Sequence, residues 1–531
     1  MPVHTGGELL ARSLAAHGVD VVFGIPGNHN LGIYQHLASA GIRHVLGRHE
    51  QGCGYAADGY ARVSGRPGVV LVTAGPAVLN TLAALGQAYS DSVPVLLVSP
   101  GMPLRHPYRG NGHLHETKDQ HGAVDAVVSV SSRVTSVSEV GEAVSHAFAD
   151  LVGGRPRPVH LEVPIDVLDE SADTEVGRPV PLSTSTAPPD ELARAAALLA
   201  GSVRPGIVVG GGARFAAPQV RRLAERLGAG VVTSTNGKGT LPEDHPLSLG
   251  AGAHLPAVAE WVRSRDVLLA IGTDLGSSDL WNGPWQIEGC LVRIDIDPRQ
   301  IVINARPDVA LVSDAAHALD SLLDLLGEGA DRAASAPEAV DWAARIRSEA
   351  AAEGALWQAE IRAMSDVLAR DAIVTGDSAA VCYYGLRANL PLYAPGSFLY
   401  PTGYGTLGYG LPAAIGAKVA APDRQVVAVL GDGGVMFTIA ELASAAAERL
   451  AIPVIVVDNG GYGQIRHNMQ RRGYSPLGVD IPSPDFASVG RALGCHGVTI
   501  ESPEQLGEEL AKALVAERPT VLHVMEGDTS A

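Results

Sequence analysis

Short aliphatic runs, each ending at a glycine or proline, recur along the chain and are separated by alanine-rich stretches with helical spacing. VDVVFGIPG, GVVLVTAGP, VPVLLVSP and PVHLEVP in the first third are of this kind, and a helix expected over Gly7 to His17 leads into the first of them. An unbroken apolar run closed by a breaker suits a strand buried on both faces, as in parallel sheets covered by helices on either side. Regular alternation of such runs with helical stretches specifies α/β units.

The pattern lapses twice. Residues 171–190, SADTEVGRPVPLSTSTAPPD, carry Ser, Thr and Pro without periodicity and read as a linker; residues 327–340, GEGADRAASAPEAV, read as a second hinge. Between them lie the strands GIVVGGG, GVVTST, VLLAIGT and CLVRIDIDP. At 531 residues the chain exceeds what one core serves. The expectation is therefore an α/β protein of three doubly wound parallel-sheet domains, at 1–172, 188–328 and 341–531. A faint echo links the outer two: AALGQAYSDSVPVLLVS and ASAAAERLAIPVIVVDN share a helix, a short turn, a Pro-Val and an aliphatic strand.

Charge and cysteine usage exclude other classes. With 39 basic against 57 acidic residues the net charge is −18, which disfavours a phosphate-backbone partner, so no nucleic acid is expected. No apolar run reaches about 18 residues, and the start MPVHTGGELLARSLAAHGVD lacks the apolar core of a secretion signal. No membrane partner and a cytoplasmic location follow as expectations. Cys53, Cys290, Cys382 and Cys495 lie far apart, without disulfide or CxxC metal spacing, which suits a reducing compartment.

The chemistry concentrates in VVAVLGDGGVMFTIAELASAAAERLAIPVIVVDNGGYGQIR. A buried strand, Val426 to Leu430, ends in Gly431-Asp432-Gly433-Gly434; a helix and a second strand follow, ending in Asp458-Asn459-Gly460-Gly461-Tyr462-Gly463. Both turns fall on the C-terminal edge of a parallel sheet, where open α/β sheets bind ligands. Glycines there let backbone N–H groups approach phosphate oxygens, and Asp432 with Asn459 offers the hard oxygens that Mg²⁺ prefers.

This arrangement resembles the signature of thiamine-diphosphate enzymes, GDG followed downstream by an Asn-Asn pair, with Asp458 standing in place of the first Asn. The resemblance implies Mg²⁺ ligands at Asp432, Asn459 and the carbonyl of Gly461, with Gly431, Gly433, Gly434 and Tyr462 around the diphosphate. GIRHVLGRHEQGCGYAADGYAR resembles the segment bearing the family's activating glutamate and puts that role on Glu50, whose carboxyl would hydrogen-bond the aminopyrimidine ring. TGYGTLGYGLPAAIGAK matches the segment that bends the cofactor, with Leu407 beneath it and the Gly405 carbonyl on its amino group. VTGDSAAVCYY places Asp377 and Ser378 near the diphosphate, and TAGPAVLN brings Thr73 and Asn80 to the cofactor, with Ala77 where the synthases carry Gly.

The resemblance covers nearly the whole chain, with pyrimidine-binding, central and diphosphate-binding domains in the order of acetolactate synthases and 2-oxoacid decarboxylases. It implies a homodimer or homotetramer with active sites between subunits, Glu50 of one chain serving the metal site of another. Some relatives bind FAD in the central domain. Here Gly210 to Gly212 read more simply as a tight turn, and Asp295 and Asp297 as solvated residues at a strand end.

The implied reaction is decarboxylation of a small-molecule 2-oxoacid to an aldehyde through an enamine; the alternative is acetolactate-synthase-type carboligation of that enamine to a second carbonyl compound. A homologue that only binds the cofactor, and a dinucleotide oxidoreductase built on the central domain, are further classes. Residues expected to handle the substrate are Asn28 and His29 in GIPGNHN, and His113 and His115 in GNGHLHETKDQ, a neutral-range imidazole being a suitable proton donor. Thr73 occupies the place of an active-site histidine of benzoylformate decarboxylase. The motifs together look most like the guanidino-2-oxopentanoate decarboxylase type. A guanidinium substrate calls for a buried carboxylate; Glu116 and Asp119 are the nearby candidates, whereas the segment after GYGQIR offers only His467-Asn468, which speaks against a cationic substrate.

Overall fold

The computed structural model describes residues 3–106, 110, 112–327 and 337–527. Three six-stranded sheets, all parallel, carry the fold. The first comprises β1 (Val21–Gly24), β2 (Arg43–Leu46), β3 (Gly68–Leu71), β4 (Val95–Gly101), β5 (Val130–Arg133) and β6 (Val159–Pro164). The second comprises β7 (Pro205–Val209), β8 (Gly230–Thr233), β9 (Ser248–Gly250), β10 (Val267–Ile271), β11 (Cys290–Asp295) and β12 (Val309–Val312). The third comprises β13 (Ile373–Gly376), β14 (Phe398–Leu399), β15 (Val426–Gly431), β16 (Pro453–Asp458), β17 (His496–Ile500) and β18 (Thr520–Met525).

Strand order is 2-1-3-4-6-5 in the first sheet and 14-13-15-16-18-17 in the third, the same topology; the central sheet runs 9-8-7-10-11-12. The echo seen in the sequence falls on equivalent places, the crossovers from β3 to β4 and from β15 to β16. Central strands such as β3, β7 and β15 are buried along nearly their whole length, as their unbroken apolar runs require.

Five helices position the site: α1 (Glu50–Ser64), α2 (Pro76–Ser90), α3 (Gln120–Asp125), α4 (Gly410–Ala420) and α5 (Gly463–Arg471). His49 caps α1, its Nδ1 accepting the Gln51 N–H at 3.2 Å, and Gly65 ends it in the left-handed region at φ 72°. Helix α2 begins with Pro76, whose missing N–H costs nothing in the first turn. The outer domains share one core along α1 and α4. The helices cross so closely that a Cβ on Gly59 would lie 2.2 Å from the Ala413 carbonyl oxygen, and one on Gly416 would lie 1.8 Å from that of Ala56. Across this contact the Tyr409 hydroxyl donates to Asp58 Oδ1 at 2.6 Å, and Arg62 holds both Asp58 and Asp91.

Two segments differ from expectation. Ser171–Asp173, at the start of the expected linker, pairs antiparallel with Val3–Thr5 and ties the chain start to the end of the first domain. The expected hinge over 327–340 lies largely outside the described residues, but from Pro337 the chain is a helix, Pro337–Glu353. Its Ala343, Ile346 and Ala350 pack with Trp261 and Leu268, so burial assigns this helix to the central core although the sequence boundary put residue 341 in the third domain. Among the described residues no helix is long and apolar enough to cross a membrane.

Candidate active site

The turns after β15 and β16 lie side by side because their strands are neighbours. Asp432, 4% exposed, accepts the Gly461 N–H at 2.7 Å and the Ser483 hydroxyl at 3.2 Å, both on Oδ2. Burial, and then the charge of Asp458, push its carboxyl above the usual range. Asp458 is turned elsewhere: its oxygens accept from Ser483 Oγ at 2.7 Å, Gly460 N at 3.0 Å and His523 Nε2 at 3.0 Å. Burial works to raise its pKa, but these bonds and the His523 imidazole hold it below the ordinary value. The replacement of the family's first Asn is thereby absorbed by Ser483 and His523, two residues that no sequence motif identified.

Asn459 has its side-chain oxygen buried without a hydrogen-bond partner. Gly463 packs against its amide, a Cβ there falling 2.9 Å from Asn459 Nδ2. Gly461 takes φ 138° and bridges to Asp480; its carbonyl accepts Gly463 N–H at 3.1 Å. A Cβ on Gly461 would stand 2.0 Å from the Val479 carbonyl oxygen. Gly461→Ala therefore meets both a clash and a strain of about 1–3 kcal/mol. The expected result is a loss of about 1–3 kcal/mol in denaturant unfolding; an unchanged midpoint would show that the turn relaxes around the added methyl group.

The Tyr462 ring covers Gly433, coming 2.7 Å from where a Cβ would be. Asp377 is fully buried and accepts the Ser378 and Gly408 N–H groups, each at 2.8 Å. Burial pushes its carboxyl up to about 6, against those bonds. Its carboxylate thus staples the turn after β13 to the loop carrying Gly405 and Leu407. In that loop Gly405 is exposed at φ 67° and Leu407 is half-buried. Gly431 opens the turn, with Ala379 3.2 Å from its Cβ position. Among the described residues no three His, Cys, Asp or Glu side chains gather as a metal set. Oxygens from one carboxylate, one amide and a carbonyl are what this edge offers.

The second half of the site lies on the C-terminal edge of the first sheet. Glu50 is the first residue of α1, and Asn80 Nδ2 on α2 donates to its Oε2 at 2.9 Å. The N–H groups of Arg48 and His49, just before Glu50, both donate to Glu441 Oε1 at 3.0 Å. Glu441 lies in the segment following GDGG, and Gly52 is required beside it, a Cβ falling 2.4 Å from Oε1. Sequence reasoning missed Glu441; its partners are backbone groups nearly four hundred positions away.

The structure brings the histidines of the two segments together. His29 and His115 meet edge-on with ring centroids 4.8 Å apart, His29 and His113 lie 6.4 Å apart, and His113 also approaches His106 at 5.0 Å. Burial, then the neighbouring His115 and His113, hold the His29 pKa below its usual value. Asn28 is exposed beside them on the turn after β1. Thr73 Oγ1 and the Nδ1 atoms of His29 and His115 are buried without hydrogen-bond partners. The two carboxylates nominated for a cationic substrate are engaged: Glu116 with His106 Nε2 at 3.0 Å and the Gly110 N–H, Asp119 as the cap of α3 through the Gly122 N–H. No hydrogen bond among the described residues joins Glu50, His29, His113 or His115 to Asp432, Asn459 or Gly461 within one chain.

In the central domain the glycine run is spent on packing: a Cβ on Gly210 would lie 2.1 Å from the Gly272 carbonyl oxygen, and Gly212 abuts Gly272 as well. Asp295 is buried rather than solvated; it accepts the Asp297 N–H at 2.9 Å, and burial raises its pKa.

Comparison with known proteins agrees with this geometry. Residues 4–123 match the N-terminal TPP-binding domain of thiamine pyrophosphate enzymes, 192–322 the central domain and 379–524 the C-terminal TPP-binding domain. The chain belongs to the thiamine pyrophosphate enzyme family. It is 43% identical to a probable 2-ketoarginine decarboxylase of Pseudomonas aeruginosa, over 95% of this chain and 90% of that one. It is 33% identical to a probable acetolactate synthase large subunit of Methanocaldococcus jannaschii (98% and 91% covered) and 32% identical to the acetolactate synthase isozyme 3 large subunit of Escherichia coli (97% and 93%).

Proposed function

We propose that this protein decarboxylates a 2-oxoacid to the corresponding aldehyde, using thiamine diphosphate and Mg²⁺. The observation that carries the reading is the pair of adjacent strand ends presenting the Asp432 carboxylate and a buried, unpartnered Asn459 oxygen, in a chain matching all three family domains. An orphaned amide oxygen beside a carboxylate fits a hard cation. Asp432, Asn459 and the Gly461 carbonyl would hold Mg²⁺; Ser378, Gly431, Gly433, Gly434 and Tyr462 would hold the diphosphate, and Gly405 and Leu407 the pyrimidine side, with Asp377 fixing their loops. Bound thiamine diphosphate supplies the sink for the electron pair released as CO₂ leaves.

The chain's own groups handle protons and placement. Glu50, steadied by Asn80, would hydrogen-bond the aminopyrimidine ring, with Thr73 lining the same edge. Asn28 and His29 would receive the substrate carboxylate. His115, with His113 as neighbour, would deliver the proton that turns the decarboxylated carbon into an aldehyde. We place the working site between two copies, in a homodimer or homotetramer, as the resemblance to acetolactate synthases and 2-oxoacid decarboxylases implies. Reduced, scattered cysteines support a cytoplasmic location.

CO₂ release and product analysis over aliphatic, aromatic and guanidino 2-oxoacids tests the reaction. Aldehyde equal to CO₂ is expected for the preferred substrate; acyloin or acetohydroxyacid as the main product would replace this reading with carboligation, the activity that the synthase relatives are named for. Removing the donor should separate the steps. His115→Ala is expected to keep CO₂ release with an artificial electron acceptor present while losing aldehyde formation ~10²–10⁴-fold, since protonation at carbon needs a donor within hydrogen-bond reach. Aldehyde formation at the unaltered rate would pass that role to His113 or His29.

A further inference from the structure

Behind the histidines lies a buried polar assembly that the reaction does not use directly. Gln120, at the head of α3, is 9% exposed and fully engaged. Its Oε1 accepts the Gly75 N–H at 2.8 Å, and its Nε2 donates to the Pro100 carbonyl at 2.9 Å and to Glu162 Oε2 at 2.8 Å, with Ser99 Oγ at 3.4 Å. Glu162, 2% exposed, also meets Arg133 at 3.1 Å. Ser99 continues to His160 Nε2 at 2.9 Å, and Ser131 bridges His160 Nδ1 and His121 Nδ1. Burial holds the His160 pKa down to about 3, so this ring is neutral.

The Gly75 N–H is where this assembly reaches the site. Gly75 has φ 69° and caps α2; a Cβ on it would lie 2.6 Å from the His115 carbonyl oxygen and 2.9 Å from His115 Cβ. One turn further along α2, Asn80 donates to Glu50. His115 itself sits at φ 63°, a backbone conformation that holds only where the surroundings fix it. A buried amide beside a buried carboxylate costs desolvation unless every bond is made, and when every bond is made it specifies one arrangement. Glutamine is suited to this place because it accepts from Gly75 and donates to Glu162 at once.

We propose that Gln120 is a positioning residue for both proton-handling groups: through Gly75 it sets the backbone at His115 and the start of α2, and so the Asn80–Glu50 bond. The inference rests on the roles proposed for Glu50 and His115. Gln120→Met keeps length and removes the bonds. Gln120→Glu keeps the acceptor facing Gly75 but opposes Glu162 with a second carboxyl, within reach of Arg133, His121 and Asp119.

In cofactor-free Gln120→Met, hydrogen exchange at the Gly75 amide is expected to speed at least ~10-fold, and in the loaded enzyme kcat is expected to fall ~10–10²-fold with KM little changed, the scale of a small misplacement. Gln120→Glu should work at low pH, where the two carboxyls share one proton, and lose rate as pH rises and both ionise; this limb should be missing from the unaltered enzyme and from Gln120→Met. Two results overturn the proposal: unchanged Gly75 exchange in Gln120→Met, or faster Gly75 exchange with kcat unchanged. A merely structural glutamine would lower thermal stability in both variants without the pH limb. Failure of the underlying roles is seen separately, as Glu50→Gln and His115→Ala leaving their own steps unaffected.

Discussion

Glu50→Gln slows exchange of the C2 proton of bound thiamine diphosphate by ~10²–10⁴-fold, the usual worth of a positioned acid–base group, while cofactor affinity stays close to that of the unaltered protein. The two effects separate because the proposed diphosphate and metal contacts lie on the other sheet, at Asp432, Asn459 and Tyr462. The amide can still accept from Asn80, so the local hydrogen bond at Oε2 survives and α1 keeps its start. Deuterium exchange followed by NMR after acid quench gives the rate, and calorimetry gives the affinity. An unchanged exchange rate would remove Glu50 from the chemistry; lost binding with unchanged exchange would make it a ligand-holding group only.

Asp432→Ala abolishes Mg²⁺-dependent binding of thiamine diphosphate while the far-ultraviolet dichroism persists. The carboxylate gathers the Gly461 N–H and the Ser483 hydroxyl at the strand end next to that carrying Asn459, whose oxygen is buried without a partner. Truncating it removes the proposed cation ligand and leaves the Gly461 N–H unpaired, a cost of about 1–3 kcal/mol where it stays buried, while Ser483 keeps its 2.7 Å bond to Asp458. Calorimetric titration with and without Mg²⁺ reads the loss. Retained metal-dependent affinity would move the Mg²⁺ site away from these turns. The β15–β16 strands themselves are held by ladder bonds and apolar burial, which the substitution does not touch.

Much of this was legible in the sequence for a physical reason. Strands buried on both faces must be unbroken apolar runs, so β15 and β16 declare themselves locally, and the glycine-rich turns with hard oxygens at their ends are the kind proposed to meet phosphate and metal. Glu50 at a helix start and the histidines after β1 and β4 do not declare themselves in this way: taken alone they read as surface residues, and only the family resemblance nominates them. What stayed hidden acts across the chain. Glu441 binds the N–H groups of Arg48 and His49; Ser483 and His523 absorb the charge of Asp458; Gln120 answers to Gly75 and Glu162. Each is an ordinary polar residue whose partner is chosen by the fold. Asp295 misled in the opposite sense, since a strand-end carboxylate looks solvated until the following loop closes over it and offers the Asp297 N–H. The helix from Pro337 misled because composition marks a flexible boundary but not which core the following segment will join.

The crossing of α1 and α4 at Gly59 and Gly416 has a consequence for how such a protein can be recombined. Backbone there rests on backbone, with no side chain between that could trim or grow to absorb a misfit. A first domain borrowed from a relative whose helix differs by one methyl group at this seam would be levered outward, carrying Glu50 at the tip of α1 with it. The two outer domains are therefore inherited as a matched pair. The central domain, reached through the irregular residues 174–188, meets the third at a tight contact of its own, a Cβ on Gly239 falling 2.2 Å from the Ala394 carbonyl oxygen, and a chimaera carrying a foreign first domain should lose the Arg48 and His49 bonds to Glu441 that span the seam.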